Sequence, residues 1–114
     1  MNIQIYMLKR NFDVQKAERF FKERRIPFQM VDLKKHPLGK REIQLFAGAD
    51  PKRLLDADNP RVKEHPALYT NDSDRIVEYI QASPELIRLP IIRNGNRFTI
   101  GADEKVWKSW SESP

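Results

Sequence analysis

Lys9, Arg10 and Asn11 are the residues of this 114-residue chain best placed to do chemistry together, because they stand directly before a stretch of helical periodicity. A helix N-terminus offers free amides and the positive end of the macrodipole. Two cations beside it suit a phosphate-like, sulfate-like or sulfonate group; the plainer alternative is an exposed basic loop. Asn11 also has two readings, a polar contact in a pocket or the N-cap of the helix, a role for which Asn is among the best residues. The two roles are compatible.

Much other chemistry is excluded at once. The chain has no cysteine, which removes disulfides, thiolate zinc sites, iron–sulfur ligation and a cysteine nucleophile. His36 and His65 stand without a cysteine or a set of neighbouring carboxylates, and a metal site needs three or four convergent donors, so no metal site and no Ser-His-Asp constellation is assigned. Arg61, Arg88, Arg93 and Arg97 read as solvated charge or as extra positive potential near a site. Acids interleave the cationic runs Lys22-Glu23-Arg24-Arg25 and Lys34-Lys35-His36. Without a stacking platform or a base-reading helix, direct nucleic-acid recognition is not expected. The net charge of +5 admits anionic partners without naming one.

These residues need elements to position them. Asn2 to Met7 alternates as a strand, with Ile3 and Ile5 on one face. Val14, Ala17, Phe20 and Phe21 fall at helical spacing within Asp13 to Arg25, and Glu18 to Lys22 is an i,i+4 pair on its outer side. Ile26 to Leu33 reads as a second strand with Pro27 at its start, completing a right-handed parallel β-α-β unit. From Gly39 to Pro84 the pattern is helical and broken by prolines: Lys40 to Ala47 around Ile43, Leu45 and Phe46, then Pro51 to Leu55, then Asp72 to Ala82. Ile91 to Arg93 and Arg97 to Ile100 flank Asn94-Gly95, which suits a type I′ hairpin turn. Ala102 to Trp110 follows as a helix, with Val106 and Trp110 one turn apart and Glu104 four residues before Lys108; Trp107 and Trp110 read as packed on the sheet, or else as an exposed aromatic pair for a partner.

The order β-α-β-(helices)-β-β-α predicts an α/β thioredoxin-like fold, a mixed four-stranded sheet flanked by helices with a helical insertion before the third strand. Composition agrees, since 39% hydrophobic and 32% charged residues can fold. The length fits one domain, residues 1–114, with the helical lobe at about 39–84. No signal-peptide pattern opens the chain, and no apolar run approaches the about 20 residues that cross a bilayer. A cytoplasmic protein without membrane association is expected.

Four segments resemble the arsenate reductase (ArsC)/Spx family. Ile5-Tyr6 followed by Asn11 to Ala17 is similar to its strand, loop and helix start, where Cys-x-x-(Cys/Ser/Thr)-Arg-Lys-Ala is typical. Ile26-Pro27-Phe28 leading to Val31-Asp32-Leu33 looks like its second strand. Ser83-Pro84-Glu85-Leu86-Ile87-Arg88-Leu89-Pro90-Ile91-Ile92 is close to its Pro-x-Leu-Ile-x-Arg-Pro-Ile segment, and Gly101-Ala102-Asp103-Glu104 with Trp107 resembles its ending. The resemblance marks Pro90 as the cis-proline that borders the thiol site in thioredoxin-like folds, beside a backbone edge able to pair with a peptide. The departures matter as much. Asn11 stands where the family has its cysteine, Val14 and Gln15 at the next motif positions, and Leu89 where an arginine precedes the proline.

In that family a thiolate attacks an oxyanion and arginines neutralise the developing charge, which an amide side chain cannot reproduce. The expected protein is therefore a cysteine-free ArsC/Spx-like domain that binds or regulates through the former active-site pocket of Lys9, Arg10, Asn11 and Pro90. It needs no cofactor, and its partner is a protein, with RNA polymerase suggested by Spx-type relatives. The alternative is an arsenate reductase-like oxidoreductase that uses an external thiol such as glutathione, with a small oxyanion or glutathione held at Lys9, Arg10 and Asn11.

Overall fold

A computed structural model describes residues 1–112. Strands β1 (Ile3–Met7), β2 (Phe28–Asp32), β3 (Ile91–Asn94) and β4 (Arg97–Ile100) form one sheet in the order β2-β1-β3-β4. β1 runs parallel to β2 and antiparallel to β3, and β3 runs antiparallel to β4. Helices α1 (Phe12–Glu23) and α6 (Glu104–Glu112) belong to the same compact unit as the sheet, Met1–Asp32 with the chain from Leu89 onward. Between β2 and β3 come α2 (Lys40–Ala47), α3 (Pro60–Lys63), α4 (Pro66–Tyr69) and α5 (Ser73–Ala82), which lie in a second unit, Leu33–Arg88. The architecture is the mixed thioredoxin-like sheet flanked by helices that the element order implies.

The register explains which side chains meet α1 and α6. Directly paired residues of adjacent strands point to the same side of a sheet. Met30, Ile5, Ile92 and Thr99 form one such row, because Ile5 pairs with both Met30 and Ile92 and Ile92 pairs with Thr99. On this face Ile3, Ile5 and Ile92 bury against Ala17, Phe20 and Phe21 of α1 and Trp107 and Trp110 of α6. Trp107 packs against both phenylalanines, with ring centroids 5.4 Å from Phe20 and 5.5 Å from Phe21. Its indole Nε1 donates to Thr99 Oγ1 at 2.8 Å, so the polar atom of a fully buried ring is satisfied.

α1 begins and ends for identifiable reasons. Asn11 caps it, its Oδ1 accepting from Val14 N at 2.8 Å. At the other end Ile26 N donates to Phe21 O and Arg25 N to Lys22 O, the paired bonds of a Schellman stop. That stop places Arg25 at φ 56°, the left-handed region that favours glycine.

The second unit uses side-chain caps repeatedly. Asp50, Asn59, His65 and Asp72 each accept a backbone N–H at the start of the following helical segment. Pro51, Pro60 and Pro66 follow three of these caps, where a missing N–H costs nothing. Ile43, Phe46 and Ala47 of α2 and Ile76, Val77 and Ile80 of α5 are buried.

Four local expectations change. Leu45 lies off the buried stripe of α2 and is exposed. Glu18 pairs with Arg10 at 2.5 Å instead of with Lys22, since the loop before α1 folds back over the helix. Lys108 sits 3.9 Å from Glu112, one turn ahead, where Glu104 was expected to meet it. In the hairpin Asn94 pairs with Arg97, so the two-residue loop is Gly95-Asn96. Gly95 alone has positive φ there, 63°, the pattern of a type II′ turn and not of type I′.

Two expected outcomes follow from the contacts of α1 and Trp107. Arg25→Gly removes a left-handed strain of about 1–2 kcal/mol but adds about 0.5–1 kcal/mol of unfolded-chain entropy. The strain wins, and urea unfolding should show a gain of about 0.5–1 kcal/mol. Thr99→Val strands the buried indole N–H and should cost about 1–3 kcal/mol in the same measurement, whereas Thr99→Ser, which keeps the hydroxyl, should cost less.

Candidate functional site

Of the four residues expected to form a site, Asn11 reaches the residue that precedes Pro90, whereas the Arg10 side chain turns to Glu18. Asn11 Nδ2 donates to Leu89 O at 3.3 Å, tying the loop before α1 to the residue that precedes Pro90. The Leu89–Pro90 peptide bond is cis. Pro90 is buried, and its carbonyl accepts from Gly101 N at 2.8 Å, which links it to the end of β4. Lys9 O accepts from Asn11 N at 2.9 Å and closes the loop locally.

Asn11 is the N-cap of α1, and its nitrogen also reaches Leu89, so both ends of the amide make bonds within the fold. An amide occupies the helix entrance, and a carboxamide is not a nucleophile that attacks an oxyanion.

The electrostatics are less favourable to an anion than the bare sequence implies. Arg10 is in an ion pair with Glu18, whose side chain is only 19% exposed. Asp13 brings a carboxylate into the first turn of α1. Val14 N, one of the amides that could bind an oxyanion, is already occupied by the cap. Lys9 is left as an exposed cation beside an N-terminus whose dipole is largely answered.

Arg93 lies under the hairpin, with Nε donating to Gly95 O at 2.7 Å and a nitrogen 3.4 Å from the Tyr6 hydroxyl. Arg88 and Arg97 are exposed. Arg61 belongs to α3 in the second unit, and His65 caps α4 through Nδ1 at 3.0 Å from Ala67 N. Among the described residues no three His, Asp or Glu side chains converge as metal ligands would. No helix there is long and apolar enough to cross a membrane.

Phe12 is the residue that pattern reading passes over. It is the first residue of α1, adjacent to Asn11, and 78% exposed. A signal was present: Phe12 stands two residues before Val14, off the stripe that Val14, Ala17, Phe20 and Phe21 bury. An aromatic on the outer side of a helix start leaves a large apolar surface in water.

Asn11→Ala removes the cap and the Leu89 tether together and should cost about 1–2 kcal/mol in thermal or urea unfolding. Asn11→Asp keeps a capping oxygen and places a negative charge at the helix N-terminus. It should cost less than half as much, isolating the amide donor as the smaller part.

Comparison with known proteins now gives this geometry a setting. The chain is similar in structure to the YffB protein (TM-score 0.82, 15% identity, covering 94% of this chain and 96% of that one). It is similar to an arsenate reductase from Vibrio cholerae (TM-score 0.80, 17% identity, 95% and 97%). An arsenate reductase (ArsC) related protein from Brucella melitensis also matches (TM-score 0.72, 19% identity, 98% and 96%). No curated protein sequence matches the chain. The model of the ArsC family matches residues 6–110, from the end of β1 to Trp110, and the chain therefore belongs to the ArsC family.

Proposed function

We propose that this chain is a non-catalytic binding domain whose surface at Lys9, Arg10, Asn11 and Pro90 recognises a protein partner. The observation that carries the reading is the double commitment of Asn11, to Val14 N and to Leu89 O, at the helix entrance beside cis-Pro90. Reduction of an oxyanion needs a nucleophile there, and the chain contains no cysteine to supply one.

Three further features favour a polypeptide over a small oxyanion. The cap, Asp13 and the Arg10–Glu18 pair answer much of the positive potential that an oxyanion would use. Leu89 N, by contrast, has no hydrogen-bond partner among the described residues, and an extended backbone can accept from it. Exposed Phe12 adds an apolar contact of the kind that anchors protein interfaces. In the regulatory form suggested by Spx-type relatives, the partner is RNA polymerase, and binding is indifferent to oxidant because no thiol switch exists.

The test has two arms. Arsenate reduction by glutathione should be no faster with the protein than without it; acceleration would replace this reading with the external-thiol oxidoreductase. Binding to purified RNA polymerase should be equal in oxidant and reductant, and about fivefold weaker for Lys9→Glu/Arg10→Glu. No binding, or binding that the double variant leaves untouched, would remove polymerase as the partner of this surface.

A further inference from the structure

The edge of the sheet at β2 carries a second recognition surface, separate from the Asn11–Pro90 tether. β2 is an outer strand of the sheet, and none of its five residues is fully buried, in contrast to β1, where Ile3, Ile5 and Tyr6 are. Beyond its ladder with β1, none of the backbone groups of Phe28, Gln29, Met30 and Val31 has a partner among the described residues. A row of unpaired N–H and C=O groups is a template for another strand, which natural proteins usually cover or blunt. Here the strand is left open, with Pro27 marking where pairing must start.

Beside the beginning of this edge lies an open groove of about 480 Å³ lined by Arg10, Gln15, Glu18, Arg19, Lys22 and Phe28. Its charges are not balanced. Glu18 is the only acid of the lining and is spent on Arg10. Arg19 and Lys22 are exposed and have no ion pair within the described residues. The half-buried ring of Phe28 gives the groove an apolar patch at the first residue of β2.

We infer that β2 and this groove receive an extended acidic segment of a protein partner, which adds a strand to the sheet edge and sets carboxylates against Arg19 and Lys22. Backbone pairing supplies affinity without sequence preference, and the two free cations supply the selection for acid. A second copy of this chain is the competing occupant. Pairing two β2 edges would bring a second set of Arg19 and Lys22 toward the first, and like charges at close range disfavour it.

The test uses the whole protein and two blocked octapeptides of strand-forming alternation, (Glu-Val)4 and (Lys-Val)4. With the acidic peptide, amide NMR shifts should saturate at Phe28 to Asp32 and along α1 at Arg19 and Lys22, and weaken as salt is raised. Arg19→Glu/Lys22→Glu, at two exposed helix positions, should keep the circular dichroism of the native protein and bind about fivefold more weakly. Equal response to the lysine peptide, shifts that bypass β2, or no binding would overturn the inference. So would concentration-dependent dimerisation through β2 in sedimentation, which would give the edge to a second copy. Shifts at Lys9, Asn11 and Leu89 report on the other surface, so either proposal can fail alone.

Discussion

Trp107 imposes the constraint on which the sheet-bearing unit depends. A fully buried indole must find an acceptor, and the acceptor must come from a residue that faces the same side of the sheet as the ring. Thr99 satisfies this because it lies in the cross-strand row with Ile92, Ile5 and Met30. A slip of one residue in the β3–β4 register would turn Thr99 to the opposite face and leave the indole stranded. The hairpin, the register and the seat of α6 are therefore one decision. The same ring packs against Phe20 and Phe21, so α1 is held by the last helix.

With α1 seated by its aromatic stripe, its N-terminus needs only a local device to meet the strand that follows the helical segment. Asn11 is that device. Its oxygen ends the helix and its nitrogen reaches Leu89, so a single amide joins two loops that are 78 residues apart in sequence. In an ArsC-family enzyme a thiolate at this helix entrance would draw on the free amides and on nearby cations. In this chain the amides are partly capped, Arg10 is paired, and no thiol exists.

The charge distribution on α1 follows from the same geometry. Residues that face the sheet are apolar, and the outward positions hold Lys16, Arg19, Lys22 and Arg24 with Glu18 and Glu23. Arg24 lies over the Phe20 ring, 3.7 Å from its centroid, which holds a cation at the end of the helix without an acid. Because Glu18 turns to Arg10, the neutralisation expected between Glu18 and Lys22 does not occur. Cations already outnumber acids here along the sequence, and with Glu18 taken by Arg10 the surface at Arg19 and Lys22 is cationic in space.

By itself the sequence determined the elements whose signals are local. The apolar spacing of α1, the Asn11 cap, the strands around Ile3 and Ile92 and the closing helix all follow from periodicity and capping chemistry over a few residues. The absence of cysteine decided what chemistry the chain cannot do, which no folding could reverse. Tertiary structure alone decided the rest. The bond from Asn11 to Leu89, the partner of Trp107, the transfer of Glu18 to Arg10 and the exposure of Phe12 depend on distances between residues far apart in the chain or on which side of a helix is covered. Even the hairpin turn obeyed this division: Asn94-Gly95 announced a turn, but cross-strand pairing moved the loop to Gly95-Asn96, because register is set by the face each side chain must occupy.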